Sequence, residues 1–498
     1  MRLCPDSLWK AIKRVWPSAR LPDALPAIPD QLRLTTDTRK LEAGNVFVAV
    51  PGSQRDGKAF IDQALDAGAS LVLAHTKQSE LVLDGKVLYL PHLSMRLGEL
   101  GRALFSVPDD LHVIAVTGTN GKSSVTHYIA ALSELLNTPA GVVGTLGVGR
   151  LGQLVDTGLT TPGPLALQEV LGGLADQGVR RIALEASSHA LEQRRLDAVN
   201  VSVGVFTNLT RDHLDYHGSM AAYAAAKAKL FRRSELTLAV VNGDDPLTRL
   251  MLAGCDSRVR VLAVGSDEAV TLRVLDWHPH EQGQQALIAT PEGEKVLNLK
   301  LMGRFNLDNV LLAMSVLYGL GESLDGLFEV APQLAPVPGR MELYRETDAP
   351  SVVIDYAHTP DALANALKAL RAHLGEAGKL WCLFGCGGDR DVGKRAEMAA
   401  VAEKWADHVV VTDDNPRTEP AERIRQHITD GFSAADAFTE IGDRSQAIRY
   451  AIQNADQQDV ILVAGKGHEA YQEIHNVRHA YQDGEQVLNA LMLRAATL

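Results

Sequence analysis

The feature that most limits the fold is a junction near residue 111. There the apolar run Leu111–Val116, one strand in length, passes directly into Thr117-Gly118-Thr119-Asn120-Gly121-Lys122-Ser123-Ser124. A buried strand, a glycine-rich loop and a helix starting near Ser123 make a crossover unit, and such units build parallel sheets. Further buried strands are predicted at Arg181–Leu184, Val201–Phe206 and Thr237–Val241, then at Ser351–Ile354, Lys379–Phe384, His408–Thr412 and Asp459–Val463. Helical patterns separate them. Pro108-Asp109-Asp110 precedes the first series, and Pro332…Pro336-Val337-Pro338-Gly339 divides it from the second. The expected class is α/β with three domains. A small mixed N-terminal domain (1–108) carries a helix at Phe60–Gly68. A central P-loop-type domain (109–337) holds a largely parallel sheet, and a Rossmann-like domain (338–498) follows.

Size and charge agree with that division. A chain of 498 residues suggests about three cores. Its formal net charge of −12 argues against nucleic acid or an anionic membrane as partner, but not against a small anionic substrate in a local basic pocket. The longest apolar runs fall far short of a membrane span. Met1-Arg2-Leu3-Cys4-Pro5-Asp6 lacks the order of a secretory signal, so a cytoplasmic protein without membrane insertion is expected. A monomer is the expected state. Cys4, Cys255, Cys382 and Cys386 do not form a metal-spaced quartet and read as reduced thiols. His75, His92 and His373 read as surface or packing residues.

The loop has a direct chemical reading. Glycines let backbone N–H groups turn onto phosphate oxygens, the helix N-terminus favours negative charge, and Lys122 adds a point charge. A hydroxyl directly after the lysine, Ser123, is placed for Mg²⁺. The strict nucleotide-loop pattern asks for glycine where Val116 stands. A nucleoside triphosphate is implied, and nothing narrower.

Thr-Gly-Thr-Asn-Gly-Lys-Ser without that glycine resembles the loop of the Mur ligases and folylpolyglutamate synthases. Further motifs follow in order: Glu185-Ala186-Ser187-Ser188-His189, Asn208 through His217, Tyr223 through Lys227, Gly303-Arg304-Phe305-Asn306 with Asn309, and Gly339-Arg340-Met341-Glu342. Then come Asp355-Tyr356-Ala357-His358, Gly385 through Arg390, Asp414-Asn415-Pro416-Arg417 and Gly465 through Glu469. Essentially the whole chain is covered, and it is identified as resembling the Mur ligase family. The resemblance implies a UDP-substrate domain, an ATPase domain and an amino-acid domain, in that order. It also implies an ATP-dependent ligase that activates a carboxylate as an acyl phosphate for attack by an amine. The implied partners are ATP, UDP-N-acetylmuramoyl-L-alanyl-D-glutamate and meso-diaminopimelate, with Mg²⁺ as cofactor.

Site residues follow from the same resemblance. Lys122, Glu185, His213 and Lys227 form the expected catalytic set, with Ser123, Glu185, His213 and Lys227 around metal. Lys227 is expected as a carbamate (N6-carboxylysine), which requires an amine neutral enough to react with CO₂. Its alternative is a solvated lysine on an alanine-rich helix, as Lys229 is taken to be. For Glu185 the alternative is a strand-end glutamate paired to a base. ATP contacts are expected from Gly118, Thr119, Asn120, Gly121, Lys122, Ser123, Ser124, Asn306, Asp355 and Arg340, the last alternatively an interdomain ion pair. The UDP substrate is assigned Thr36, Thr38, Ser53, Gln54, Arg55, Thr160, Thr161, Ser187, Gln193 and Arg195, with Leu159 where some relatives have asparagine.

Choice of amino acid falls to Arg390, Asp414, Asn415, Pro416, Arg417, Gly465 and Glu469. Meso-diaminopimelate carries a distal carboxylate that a guanidinium can grip bidentately, whereas lysine would offer it an ammonium. Arg417 therefore favours diaminopimelate. Lys394-Arg395-Ala396 departs from the common Lys-Arg-Pro. The competing readings are the lysine-adding ligase of the same pathway, a folylpolyglutamate synthase, and a non-catalytic nucleotide-dependent binding protein. Presence of Lys122, Glu185, His213 and Lys227 together opposes the last.

Overall fold

A computed structural model describes residues 3–22, 26–52, 55–210 and 214–496. The chain forms two compact units. Met1–Gly118, Asn137–Ala239 and Arg249–Arg260 make the first; Thr119–Leu136, Val240–Thr248 and Val261–Leu498 make the second.

The first unit begins with a five-stranded sheet in the order Leu34–Thr35, Val46–Ala49, Leu71–Thr76, Val87–Pro91, Val82–Asp84. Its first four strands are parallel and the last antiparallel. Val46–Ala49 and Leu71–Thr76 are buried at every position, because helices cover both faces. Pro5–Val15 and Leu93–Leu104 lie on one side, and the short helix Ile61–Asp66 on the other. Helix Leu93–Leu104 also packs against helix Pro164–Asp176. Gly101 permits the close approach, since a Cβ there would stand 3.0 Å from the Gln168 Cβ.

Beyond it, strands Val201–Phe206, His112–Thr117, Arg181–Glu185 and Ala140–Gly144 lie side by side in parallel, with Gly147–Gly149 antiparallel at the edge. Val116 pairs with Glu185, and Thr117 with Phe206. The three strands therefore end level, and their following loops open on one edge.

In the second unit, helix Lys122–Leu135 packs on helix Arg304–Gly319. An antiparallel meander, Leu272–His280, Gly283–Thr290 and Gly293–Leu299, was not among the expected strands. Further on, a six-stranded sheet runs Glu342–Tyr344, Ser351–Asp355, Val460–Ala464, Leu380–Phe384, His408–Val411, Thr439–Glu440, parallel except for the first. Helices Pro360–Arg371, Gly393–Trp405 and Ala421–Thr429 cover one face; Arg444–Asn454 and Asp483–Ala495 cover the other. The expected strands fall within about a residue of those observed. Among the described residues no helix is long and apolar enough to cross a membrane.

One buried ion pair ties the last helix to this sheet. Arg444 donates to both oxygens of Asp483 at 2.7 and 2.8 Å and to the Ala464 carbonyl at 2.9 Å, with both charged side chains fully buried. Removing one partner strands the other charge in the interior. Asp483→Ala should cost about 3–5 kcal/mol in urea unfolding, while replacing both residues with apolar side chains should cost much less. Equal losses would show that packing, not the pair, is responsible.

Candidate active site

The level strand ends of the first unit carry side chains expected at the site. Glu185 closes strand Arg181–Glu185 and is 1% exposed. Its Oε1 accepts the Thr145 N–H at 3.0 Å and its Oε2 accepts the Thr145 hydroxyl at 3.2 Å. This carboxylate needs Gly144 beside it, because a Cβ there would overlap Oε1. Thr145 Oγ1 in turn lies 3.0 Å from Thr160 Oγ1.

One residue on, the network widens. Thr161 donates to the Glu185 carbonyl at 2.6 Å, and the Ser187 N–H donates to the Thr161 hydroxyl at 3.3 Å. Arg195 donates to the Thr161 carbonyl at 2.6 Å and grips Gln193 Oε1 through Nε and Nη2. Gln193 reaches the Tyr216 hydroxyl at 3.2 Å. Thr160, Thr161, Ser187, Gln193 and Arg195 are thus brought together with Glu185. Burial pulls the Arg195 guanidinium below its usual range. Leu159 stands exposed beside them.

The phosphate loop leaves its strand through Gly118, at φ 149°. A Cβ there would overlap the Thr207 hydroxyl, so glycine is needed for both space and conformation. The Gly118 carbonyl accepts a hydrogen bond from Lys227 Nζ at 2.8 Å. Lys227 is 1% exposed and lies 4.5 Å from the centre of the Tyr223 ring. It is therefore no solvated lysine, whereas Lys229 is partly exposed and pairs with Glu192. His213, Ser53 and Gln54 lie outside the described residues. Thr36, Thr38 and Arg55 follow the neighbouring parallel strands Leu34–Thr35 and Val46–Ala49, with Thr38 opening the short 3-10 helix Thr38–Lys40 and Thr36 and Arg55 exposed.

In the second unit the loop continues through Thr119 and the exposed Asn120. Lys122 Nζ donates to the Thr119 carbonyl at 2.8 Å. Ser123 and Ser124 are buried in the first turn of helix Lys122–Leu135. Gly121 touches the second helix: a Cβ there would stand 2.7 Å from Asn309 Oδ1. Asn306 is buried, accepting from the Tyr128 hydroxyl at 3.2 Å and donating to the Met302 carbonyl at 2.8 Å.

After the proline-rich break, Arg340 lies 4.5 Å from the Tyr356 ring centre. Asp355 ends its strand by accepting the N–H groups of Met341 and Ala357, both at 2.9 Å. Burial raises the Asp355 carboxyl, and Arg340 opposes that rise. Arg340 acts on Asp355 as a nearby charge within the same unit.

The last cluster crosses the carboxyl ends of the parallel strands Leu380–Phe384, His408–Val411 and Val460–Ala464. Lys466, fully buried, donates to Asn415 Oδ1 and Glu469 Oε2, each at 3.1 Å, and lies 3.8 Å from Asp414. Asn415 also donates to Glu469 at 2.8 Å. Burial raises the Asp414 carboxyl, while Arg444 and Lys466 hold it down. Gly465 packs on Asp414, where a Cβ would stand 2.8 Å from Oδ2. Pro416 is buried; Arg417, at φ 53°, donates from Nη1 to the Gly388 carbonyl at 2.7 Å. Arg390 is exposed on the neighbouring loop. Lys466, Thr145 and Glu473, which lies 3.7 Å from Arg417, were not picked out from sequence. Lys466 stood within a recognised motif, but nothing in its spacing announced burial.

The oxygen donors suit a hard cation. Among the described residues no three His, Cys, Asp or Glu side chains gather as a preformed cage. Mg²⁺ needs none, since it keeps water and substrate oxygens. Gly144→Ala should displace the Glu185 carboxylate and lower ATP turnover ~100-fold with an unchanged circular dichroism spectrum. Near-normal turnover would remove Glu185 from the active site.

Comparison with known proteins agrees with this geometry. Residues 33–103 match the Mur ligase family catalytic domain, 116–317 the Mur ligase middle domain and 339–467 the Mur ligase glutamate ligase domain. The Pseudomonas aeruginosa UDP-N-acetylmuramoyl-L-alanyl-D-glutamate–2,6-diaminopimelate ligase is 46% identical over 462 residues, 92% of this chain and 94% of that protein. The enzyme of the same name from Xanthomonas campestris pv. campestris is 44% identical over 483 residues, 96% of this chain and 97% of its own. A solved structure of a ligase with that name superposes at TM-score 0.71 with 35% identity, over 97% of this chain and 99% of its own. A Mycobacterium tuberculosis folylpolyglutamate synthase structure shares the fold at TM-score 0.61 and 21% identity, over 74% of this chain and 92% of its own. With three domain matches in order and relatives this similar along nearly its whole length, the chain belongs to the Mur ligase family.

Proposed function

We propose that this protein ligates meso-diaminopimelate to UDP-N-acetylmuramoyl-L-alanyl-D-glutamate with hydrolysis of ATP to ADP and phosphate, in peptidoglycan precursor synthesis. The observation that carries the reading is the cluster around Arg417. Arg417, at a left-handed φ and 3.7 Å from Glu473, ends a loop that begins at Asp414, where Lys466 and Glu469 also gather, so cationic and anionic groups stand together as an amino acid with an ammonium and a carboxylate at each end would require. The name of the relatives supports the same substrate. The lysine-adding alternative would put an ammonium against Arg417.

In this reading residues 1–108 bind the UDP moiety, 109–337 bind ATP, and 338–498 bind the amino acid. Lys122 leaves the Thr119 carbonyl for the β- and γ-phosphates, and the loop N–H groups and Arg340 supply further positive charge. The substrate carboxylate, oriented by Arg195 and the hydroxyls of Thr160, Thr161 and Ser187, attacks the γ-phosphorus, and ADP leaves. The amine of diaminopimelate then attacks the acyl carbon, phosphate departs and the amine gives up its proton. Mg²⁺ held by Ser123, Glu185, His213 and carbamylated Lys227 would neutralise charge on the phosphoryl oxygens. Burial of Lys227 against the phosphate-loop carbonyl of Gly118 supports that role for it. Asn306 supports the nucleotide side through the helix that borders Gly121, and Asp355 fixes the backbone beside Arg340. Use of ATP and a UDP-linked substrate supports a cytoplasmic location.

Purified protein with ATP, Mg²⁺ and the UDP-linked dipeptide should release phosphate and form a tripeptide product with meso-diaminopimelate, but not with L-lysine. Turnover with lysine would overturn the specificity, and ATP binding without turnover on either would favour a non-catalytic binder.

A further inference from the structure

We infer that Arg395, through its pair with Glu419, is a positioning residue for amino-acid selection; the inference rests on the ligase reading above. Arg395 lies on helix Gly393–Trp405, outside every residue assigned to substrate, and is fully buried. Its Nη1 and Nη2 donate to the two Glu419 oxygens at 3.1 and 2.9 Å. Nη1 also lies 3.0 Å from His427 Nδ1, and Nη2 donates to the Gly387 carbonyl at 3.2 Å. Its buried Nε has no hydrogen-bond partner. An apolar side chain would fill this space at lower desolvation cost. It could not hold two loops at once.

Those two loops carry the amino-acid pocket. The first, after strand Leu380–Phe384, contains Gly387, Gly388 and Arg390; the second, after strand His408–Val411, contains Asp414 through Arg417. They are stitched side by side. The Gly388 N–H donates to the Asn415 carbonyl at 2.9 Å, and Arg417 returns a bond to the Gly388 carbonyl. Glu419 receives the Asp389 N–H at 2.6 Å, and Thr418 donates its hydroxyl to Asp389 at 2.6 Å. No slack is left between them: a Cβ on Gly388 would overlap the Pro416 carbonyl, and one on Gly387 would stand 2.8 Å from Arg417 Nη1.

Arg395 thus binds the first loop directly, through Gly387, and the second through Glu419. The Arg395 guanidinium holds the Glu419 carboxyl at about 2, so the fork stays intact across the working pH range. If the two loops part, Arg417 loses the carbonyl that aims it, and the grip on a distal carboxylate weakens. The phosphate loop and Arg340 take no part in this network, so ATP binding is not expected to follow.

The test is steady-state kinetics on the full-length enzyme, varying meso-diaminopimelate and ATP separately. The variants are Glu419→Ala, Arg395→Lys, which keeps charge but loses the fork, and the double variant, each checked for its fold by circular dichroism. KM for diaminopimelate should rise about tenfold in each single variant. It should rise little further in the double variant, and KM for ATP should stay within about twofold. Parallel rises in both KM values, additive effects, or no change in Glu419→Ala would overturn the inference. Wild-type enzyme inactive with diaminopimelate would overturn the ligase reading and this inference with it.

Discussion

A parallel strand returns to its sheet only by a crossover, so the loops that follow such strands all open on one edge. In this molecule that constraint places the chemistry. Glu185, Gly118 and Thr207 stand at the level ends of three neighbouring strands because Val116 pairs with Glu185 and Thr117 with Phe206. The same rule brings Gly387, Asp414 and Gly465 to the carboxyl edge of the six-stranded sheet. Thr36, Thr38 and Arg55 follow it in the first sheet. A shift of register by one residue would turn Glu185 to the other face of its sheet.

On that scaffold an acidic chain keeps several of its cations inside. Lys227, Lys466, Arg395 and Arg444 are all nearly or fully buried, and each is held by carbonyl or carboxylate oxygens. Buried cations of this kind are costly unless their partners are fixed. Their partners here are loop carbonyls and pocket carboxylates: Gly118 for Lys227, Gly387 and Glu419 for Arg395, Asn415 and Glu469 for Lys466. Fixing the cation fixes the loop. Net charge on the whole chain therefore says little about the local field that an anionic substrate meets.

Much of this was legible in the amino-acid sequence, for definite reasons. Fully buried strands read as continuous apolar runs, which is why Leu380–Phe384 and Val460–Ala464 were located to a residue or so. Thr160, Thr161, Ser187, Gln193 and Arg195 could be grouped from the resemblance and lie in one network. The meander from Leu272 to Leu299 escaped notice because its strands alternate buried with exposed positions and carry charge; only Gly283 and Gly293 mark its turns. Arg395 and Lys466 were passed over because a charged residue on a helix or after a strand is ordinarily solvated. Burial of a charge depends on partners distant in sequence, such as Glu419 for Arg395 and Asn415 for Lys466.

The proposed ligation depends on direct phosphorylation of the substrate carboxylate at these strand ends. The decisive measurement follows oxygen-18 placed in the acceptor carboxylate of the UDP-linked dipeptide through one round of ligation with ATP and diaminopimelate. An acyl phosphate intermediate must pass one labelled oxygen to the released phosphate. Phosphate free of label, with tripeptide product formed, would show that the carboxylate is activated by another route.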